Sequence, residues 1–288
     1  MLATLKEVLE IANQRETAIP HFNIDNIDGI EAVMEAADTE NYPVILSIGQ
    51  GAINAGNLWY LADAVQRAAN DSKVPVVLHL DHGVSYEQTV VCLRAGFTSV
   101  MYDGSHHPFE ENVRESLAVI RSAHAVGVSV ECELGAIGGV EDGMSHDHLN
   151  LVDVGEVERF CAQVDCDALA IGIGNAHGLY KGTPHFDFDR LTACRKLDTP
   201  PLCSTAVPAL PTRCSARRSN WVSAKSMLPL SCGWPIWRAW RPVWASVISI
   251  KCASRPRTTL LLWPARRSGC FRDCNRKTFP FFCSLHKI

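Results

Sequence analysis

Several residues in this chain that could move protons or hold a metal stand where a run of strand-forming residues ends. Val76-Val77-Leu78-His79-Leu80 stops at Asp81-His82-Gly83, and Ser99-Val100-Met101-Tyr102 stops at Asp103. Val128–Leu134 carries Glu133 near its end, and Asp167–Gly174 leads into Asn175-Ala176-His177-Gly178. Histidine is the commonest ligand of borderline metals, and catalytic zinc sites combine a few protein ligands with an open position. Neighbours on an extended strand point opposite ways. Asp81 and His82 can share one site only if the strand ends there, with Gly83 expected to let the backbone turn. His79, His106, His107 and His185 lack that placement and are read as structural or surface residues. Gly135-Ala136-Ile137-Gly138-Gly139-Val140-Glu141-Asp142-Gly143 is expected to be a long mobile loop, too glycine-rich for a strand, carrying two acids.

The elements that must position these residues follow one another regularly. Residues 2–14 have helical spacing. Strands are predicted at 18–24, 43–49, 74–80, 99–105, 128–135 and 167–174, with helices at 28–39, 57–70, 85–95, 109–126 and near 154–164. The strands are continuous apolar runs, as in sheets buried on both faces. Six alternations of strand and helix imply parallel strands with right-handed crossovers. Polar residues at several C-terminal tips favour a (β/α)8 TIM barrel, with six of its eight units recognisable. A doubly wound open sheet is the alternative, but it usually carries a Gly-rich turn after its first strand, which is not seen here.

No apolar run reaches the 18 or more residues of a membrane span. The start, MLATLKEVLEIANQ, is amphipathic and lacks the basic, apolar and small-residue regions of a secretory signal, so a soluble cytoplasmic protein is expected. Cys92, Cys132, Cys161 and Cys166 sit in apolar patterns and are read as buried thiols. The net charge of −4 conceals two unlike parts. Thr199–Ile288 holds 15 Lys+Arg and one acid, Asp273, whereas the first 198 residues hold 12 bases and 30 acids. Six of the seven tryptophans and eight of the twelve cysteines also follow residue 190. The expected division is an incomplete barrel domain over 1–191 and a basic Trp/Cys-rich tail over 192–288.

LHLDHG, VMYDGSHHPFEENV, VECELGAIGGVEDG and AIGIGNAHGLYKGTP, in that order, resemble the zinc-dependent class II ketose-bisphosphate aldolases, in the fructose- and tagatose-bisphosphate branch. The resemblance implies reversible aldol cleavage of a ketose 1,6-bisphosphate, with Zn2+ as cofactor and room for a monovalent cation. It implies that His82 and His177 ligate zinc, with Asp103 and Glu133 as supporting or alternative ligands. Asp81 would move the C4 hydroxyl proton, and Glu141 would exchange the proton at the enediolate carbon. Gly178 and Lys181 would bind substrate phosphate. The implied partner is a phosphorylated sugar, with no nucleic acid and no membrane, in a homo-dimer or tetramer.

The resemblance stops near residue 191. The family's third zinc histidine lies in a Leu-His-Gly-Ala/Gly-Ser-Gly motif, and a Val-Asn-Val-Ala-Thr-Glu-like motif follows it. Neither is present. Read from the third base of each codon, however, residues 200–208 can encode Thr-Pro-Leu-Leu-His-Gly-Gly-Ser-Gly. Residues 219–232 can likewise encode Glu-Leu-Gly-Val-Ser-Lys-Val-Asn-Val-Ala-Thr-Glu-Leu, with Leu forced by Asn220-Trp221 and Gly forced by Trp221-Val222. A reading-frame shift between about Leu191 and Pro200 is inferred, leaving open sheet edges and an impaired enzyme. The competing reading is a non-catalytic barrel remnant whose basic tail binds nucleic acid or membrane. A zinc hydrolase on the same barrel ranks lower, because His21 lies inside the first strand without a His-x-His pattern.

Overall fold

The apolar runs become strands because both of their faces are covered, one by helices and one by the barrel interior. The structure, a computed structural model, describes residues 1–15, 17–135, 138–141, 144–146, 151–174, 176–177, 187–204 and 224–228. Its strands are β1 (Ile19–Asn23), β2 (Val44–Ile48), β3 (Val76–Gly83), β4 (Ser99–Tyr102), β5 (Ser129–Leu134), β6 (Gly138–Glu141), β7 (Met144–His146), β8 (Ala168–Ile171), β9 (Ala176–His177), β10 (Leu202–Ser204) and β11 (Ala224–Leu228). Its helices are α1 (Leu5–Gln14), α2 (Ile27–Glu40), α3 (Gln50–Asn54), α4 (Leu58–Asp71), α5 (Tyr86–Arg94), α6 (Phe109–His124), α7 (Val154–Cys161) and α8 (Phe188–Cys194).

Eight strands close a barrel in the order β1-β2-β3-β4-β5-β8-β10-β11. The seven from β1 to β10 are parallel, in register from Ser47↔His79 to Cys203↔Ala170. This is the expected TIM-barrel architecture, with one more parallel stave than the apolar pattern revealed. The last stave is reversed. β11 runs antiparallel to both β1 and β10, pairing Met227 with Ile19 and with Cys203. The expected open edges are thereby corrected: the backbone of Ala224–Leu228 satisfies both rims, and closure removes the edges.

Alternation along the staves divides the core in two. Phe22, Leu46, Leu78, Val100 and Leu169 face outward onto Val33, Leu61, Val65, Ile120 and Phe160. Ile19, Ile45, Val77, Met101, Ala168 and Cys203 face inward, onto Leu5, Val8, Leu9 and Ala12 of α1. That helix therefore plugs the N-terminal end of the barrel. Thr4 starts it with a capping box shared with Glu7, and the Lys6 amide donates to Ser129 Oγ at 3.1 Å. Above the inward apolar layer the staves turn polar. Asn23, Ser47, His79 and Ser99 are successive register partners on β1 to β4, and His21 and Glu131 are buried with them.

Among the described residues, no helix is long and apolar enough to cross a membrane. The cysteines match expectation: Cys92, Cys132 and Cys166 are buried and Cys161 partly so, all as free thiols. Burial pushes Cys92 up to about 12 and Cys161 up to about 11, which keeps both protonated and unreactive.

Candidate metal and acid–base site

The tip of β3 is shaped by an unusual backbone. His82 lies in the left-handed region at φ +49°, a conformation costing a side-chain-bearing residue roughly 1–2 kcal/mol. The register against β4 shifts between Leu80 and Gly83. Asp81 and His82 thus share a site because His82 itself makes the turn, not because Gly83 does. Gly83 is needed for a different reason. A Cβ there would sit 2.3 Å from the Met101 carbonyl oxygen, so only glycine lets β4 approach. Gln50 of α3, a helix the sequence pattern did not reveal, secures the turn by donating to the His82 carbonyl at 2.9 Å.

His82 Nδ1 is 2.8 Å from Asp103 Oδ2 and 3.9 Å from Glu133 Oε2. Asp103 Oδ1 also accepts from the Ser105 amide at 3.1 Å and the Ser105 hydroxyl at 2.7 Å. Asn112 of α6 donates to the Glu133 carbonyl at 2.9 Å, fixing the end of β5. Burial alone would lower the His82 pKa. The charges of Asp81, Asp103 and Glu133, with the Asp103 hydrogen bond, outweigh it and raise it to about 10. For Asp103 burial acts upward, but the His82 hydrogen bond and charge and the Ser105 donors drive it well below the usual carboxylate range. One ligand atom each from His82, Asp103 and Glu133 lies within 4.8 Å of the others. One imidazole and two carboxylates, all buried, make a donor set that suits a divalent borderline metal.

Asp81 lies beside this group. Asn23 at the tip of β1 donates its amide to Asp81 Oδ2 at 2.9 Å, and the Ser47 hydroxyl donates to Asn23 Oδ1. Ser47 Oγ is 2.6 Å from His21 Nε2, and the His21 ring stands edge-on to His79 at 5.1 Å between centroids. His79 holds Ser99 Oγ at 2.8 Å and lies 3.3 Å from Glu131 Oε2, both side chains being 0% exposed. His21, His79 and Asp81 also bring ligand atoms within 4.8 Å, but each is already held by Ser47, Ser99 or Asn23.

The structure thus brings together Asp81, His82, Asp103 and Glu133. Asn23, Ser47, His21 and Glu131 were not singled out from sequence, although Asn23 ends β1 as Asp81 ends β3. The Gly-rich stretch expected as an unstructured loop is corrected in its described residues: β6 and β7 form an antiparallel hairpin that pairs Glu141 with Met144. A glycine within a strand marks a place where another backbone approaches closely. β6 also pairs with β9, placing Gly139 opposite His177. The segments bearing Glu141 and His177 are therefore adjacent, while their side chains lie outside what the structure describes. Gly178 and Lys181 lie outside the described residues.

The sequence that builds this geometry matches that of a known family. The family described as "Fructose-bisphosphate aldolase class-II" covers residues 3–204, through β10 and so past Leu191. The chain belongs to the class-II fructose-bisphosphate aldolase family. Fructose-bisphosphate aldolase of Geobacillus stearothermophilus is 41% identical over 214 residues, spanning 73% of this chain and 75% of that protein. The enzyme of Thermus caldophilus is 41% identical over 215 residues, spanning 73% and 70%. Among solved structures, the YdjI aldolase from Escherichia coli K12 superposes with a TM-score of 0.65 at 30% identity, covering 73% of this chain and 75% of that one. Class-II aldolases are metal-dependent lyases, and the His82–Asp103–Glu133 group suits that requirement.

Proposed function

We propose that this barrel carries the apparatus for zinc-dependent, reversible aldol cleavage of a ketose 1,6-bisphosphate, fructose or tagatose, to glycerone phosphate and glyceraldehyde 3-phosphate. The observation that carries the reading is the His82–Asp103–Glu133 donor set beside the Asn23-held carboxylate of Asp81. His82, with Asp103 and Glu133 as supporting or alternative ligands and His177 from β9, would hold the metal. When bound, zinc supplies Lewis-acid stabilisation of the charge that develops on the ketose carbonyl oxygen. Asp81 takes the C4 hydroxyl proton as the C3–C4 bond breaks and returns it in the condensation direction. Glu141, on the β6–β7 hairpin that pairs with β9, serves the proton at the enediolate carbon. Gly178 and Lys181 serve a substrate phosphate.

The same reading holds that turnover is impaired in the chain as written, because neither the family's third histidine nor its second phosphate motif is present. Triose-phosphate release by the purified 288-residue chain, assayed with each bisphosphate and with or without chelator, tests it. Weak, chelator-sensitive cleavage is expected. Vigorous cleavage that survives metal removal would sink the zinc assignment, and vigorous zinc-dependent cleavage would sink the impairment.

A further inference from the structure

We infer that His21 is a positioning residue for Asp81, acting through Ser47 and Asn23 as the donor end of a one-way hydrogen-bond chain. The inference rests on the proposed role of Asp81 and deepens it. Asn23 Nδ2 faces Asp81 Oδ2 at 2.9 Å, so its amide NH2 donates to the carboxylate. Its oxygen then faces Ser47, and a carbonyl oxygen also only accepts. Ser47 has a single hydroxyl proton, and it is taken on the side of Asn23 Oδ1 and the Phe22 carbonyl oxygen, 3.3 Å away, both of which only accept. Ser47 Oγ therefore accepts from His21 Nε2, 2.6 Å away, and that nitrogen must carry a proton. The acceptor role of Asp81 thus fixes which nitrogen carries a proton in a ring three residues removed in the chain of bonds.

The arrangement is built to hold one direction. Asn23, Ser47 and His21 sit on two adjacent staves, β1 and β2, and Asp81 on the next. His21 and Ser47 are fully buried, so water does not supply a substitute donor. The edge-on His79 ring limits His21 rotation, and Ser99 and Glu131 hold His79 in turn. Without the His21 donor, Ser47 Oγ loses a buried partner. Asn23 can then turn its amide, and the carboxylate loses its fixed orientation.

Long-range 1H–15N spectra of the full 288-residue chain test the inference directly. A proton on His21 Nε2 is expected, and an unprotonated Nε2 overturns the chain of bonds. The Asn23 side-chain amide protons supply the second reading. Their exchange should quicken about tenfold or more in His21→Leu and recover in His21→Gln, whose amide can donate from a similar position. Unchanged exchange in His21→Leu, or no recovery in His21→Gln, overturns the positioning role. Should His21→Leu fail to fold, the wild-type spectrum and His21→Gln still decide. None of these readings needs metal or sugar. A chain that shows the predicted protonation but cleaves no ketose bisphosphate counts against the proposed function alone.

Discussion

At the scale of single residues, the site is governed by how three carboxylates treat one imidazole. His82 is raised from 6.5 to about 10, so in the metal-free protein it is an imidazolium at neutral pH. Its stabilising contribution is complete below 6.5 and is lost as pH rises through about 10. Asp103 is shifted the other way, so its contribution is complete above its ordinary value of 3.8 and fades only in strong acid. A metal ligand must be a neutral imidazole. Zinc binding to the purified chain should therefore release about one proton between pH 7 and 9, with affinity rising as pH rises. Calorimetry in buffers of different ionisation enthalpy measures that proton count; none released would separate His82 from the metal. Asp81 is predicted to act on rate: Asp81→Asn should lower kcat for ketose-bisphosphate cleavage by roughly 100-fold or more with little change in KM. Steady-state kinetics of both proteins check it.

At the scale of elements, β3 shows what the sequence could and could not reveal. The run Val76–Leu80 declares a buried strand, and Asp81-His82 at its end declares a functional tip. A left-handed histidine is not written in any propensity, because it exists only where surrounding contacts over-determine it. Gln50 of α3, with Met101 in β4 and Asp103 just past its end, supplies those contacts. The buried layer of His21, Ser47, His79, Ser99 and Glu131 was hidden for a similar reason. Each residue looks isolated in its own strand, and only the pairing of the staves β1 to β5 brings them together. α3 is a single five-residue turn of helix, too short for periodicity to register. Two glycines separate steric from conformational need. Gly83→Ala places a Cβ against backbone and should cost roughly 1–3 kcal/mol while weakening metal binding. Gly56→Ala meets nothing within 4 Å but keeps φ at +79°, so only about 1 kcal/mol of backbone strain is expected, with metal binding intact. Denaturant titrations with and without zinc distinguish the two.

At the scale of the whole molecule, two kinds of chain meet near β10. Through Ser204 the sequence follows the aldolase profile, and its parallel staves carry a site assembled from β1, β3, β4 and β5. Beyond it the charge balance reverses, and the one described stave, β11, runs the wrong way for a (β/α)8 barrel. A parallel stave presents its C-terminal tip at the mouth, where ligands for metal and phosphate belong. A reversed one closes the wall but presents its N-terminal end there, so β11 can complete the hydrogen bonding without completing the site. This is the expected consequence if the reading frame shifts at the end of the interval between Leu191 and Pro200, close to where the aldolase profile ends, since both missing motifs can be encoded in one shifted frame and in the right order. Sequencing the gene across codons 190–202 should reveal one missing or extra base, and an intact frame there would defeat the explanation. The corrected product supplies the functional check. With its third histidine and phosphate motif restored, it should bind zinc more tightly and cleave a ketose bisphosphate on the order of 100-fold faster than the 288-residue chain. Equal rates from the two proteins would mean that β11, reversed as it is, already completes the site.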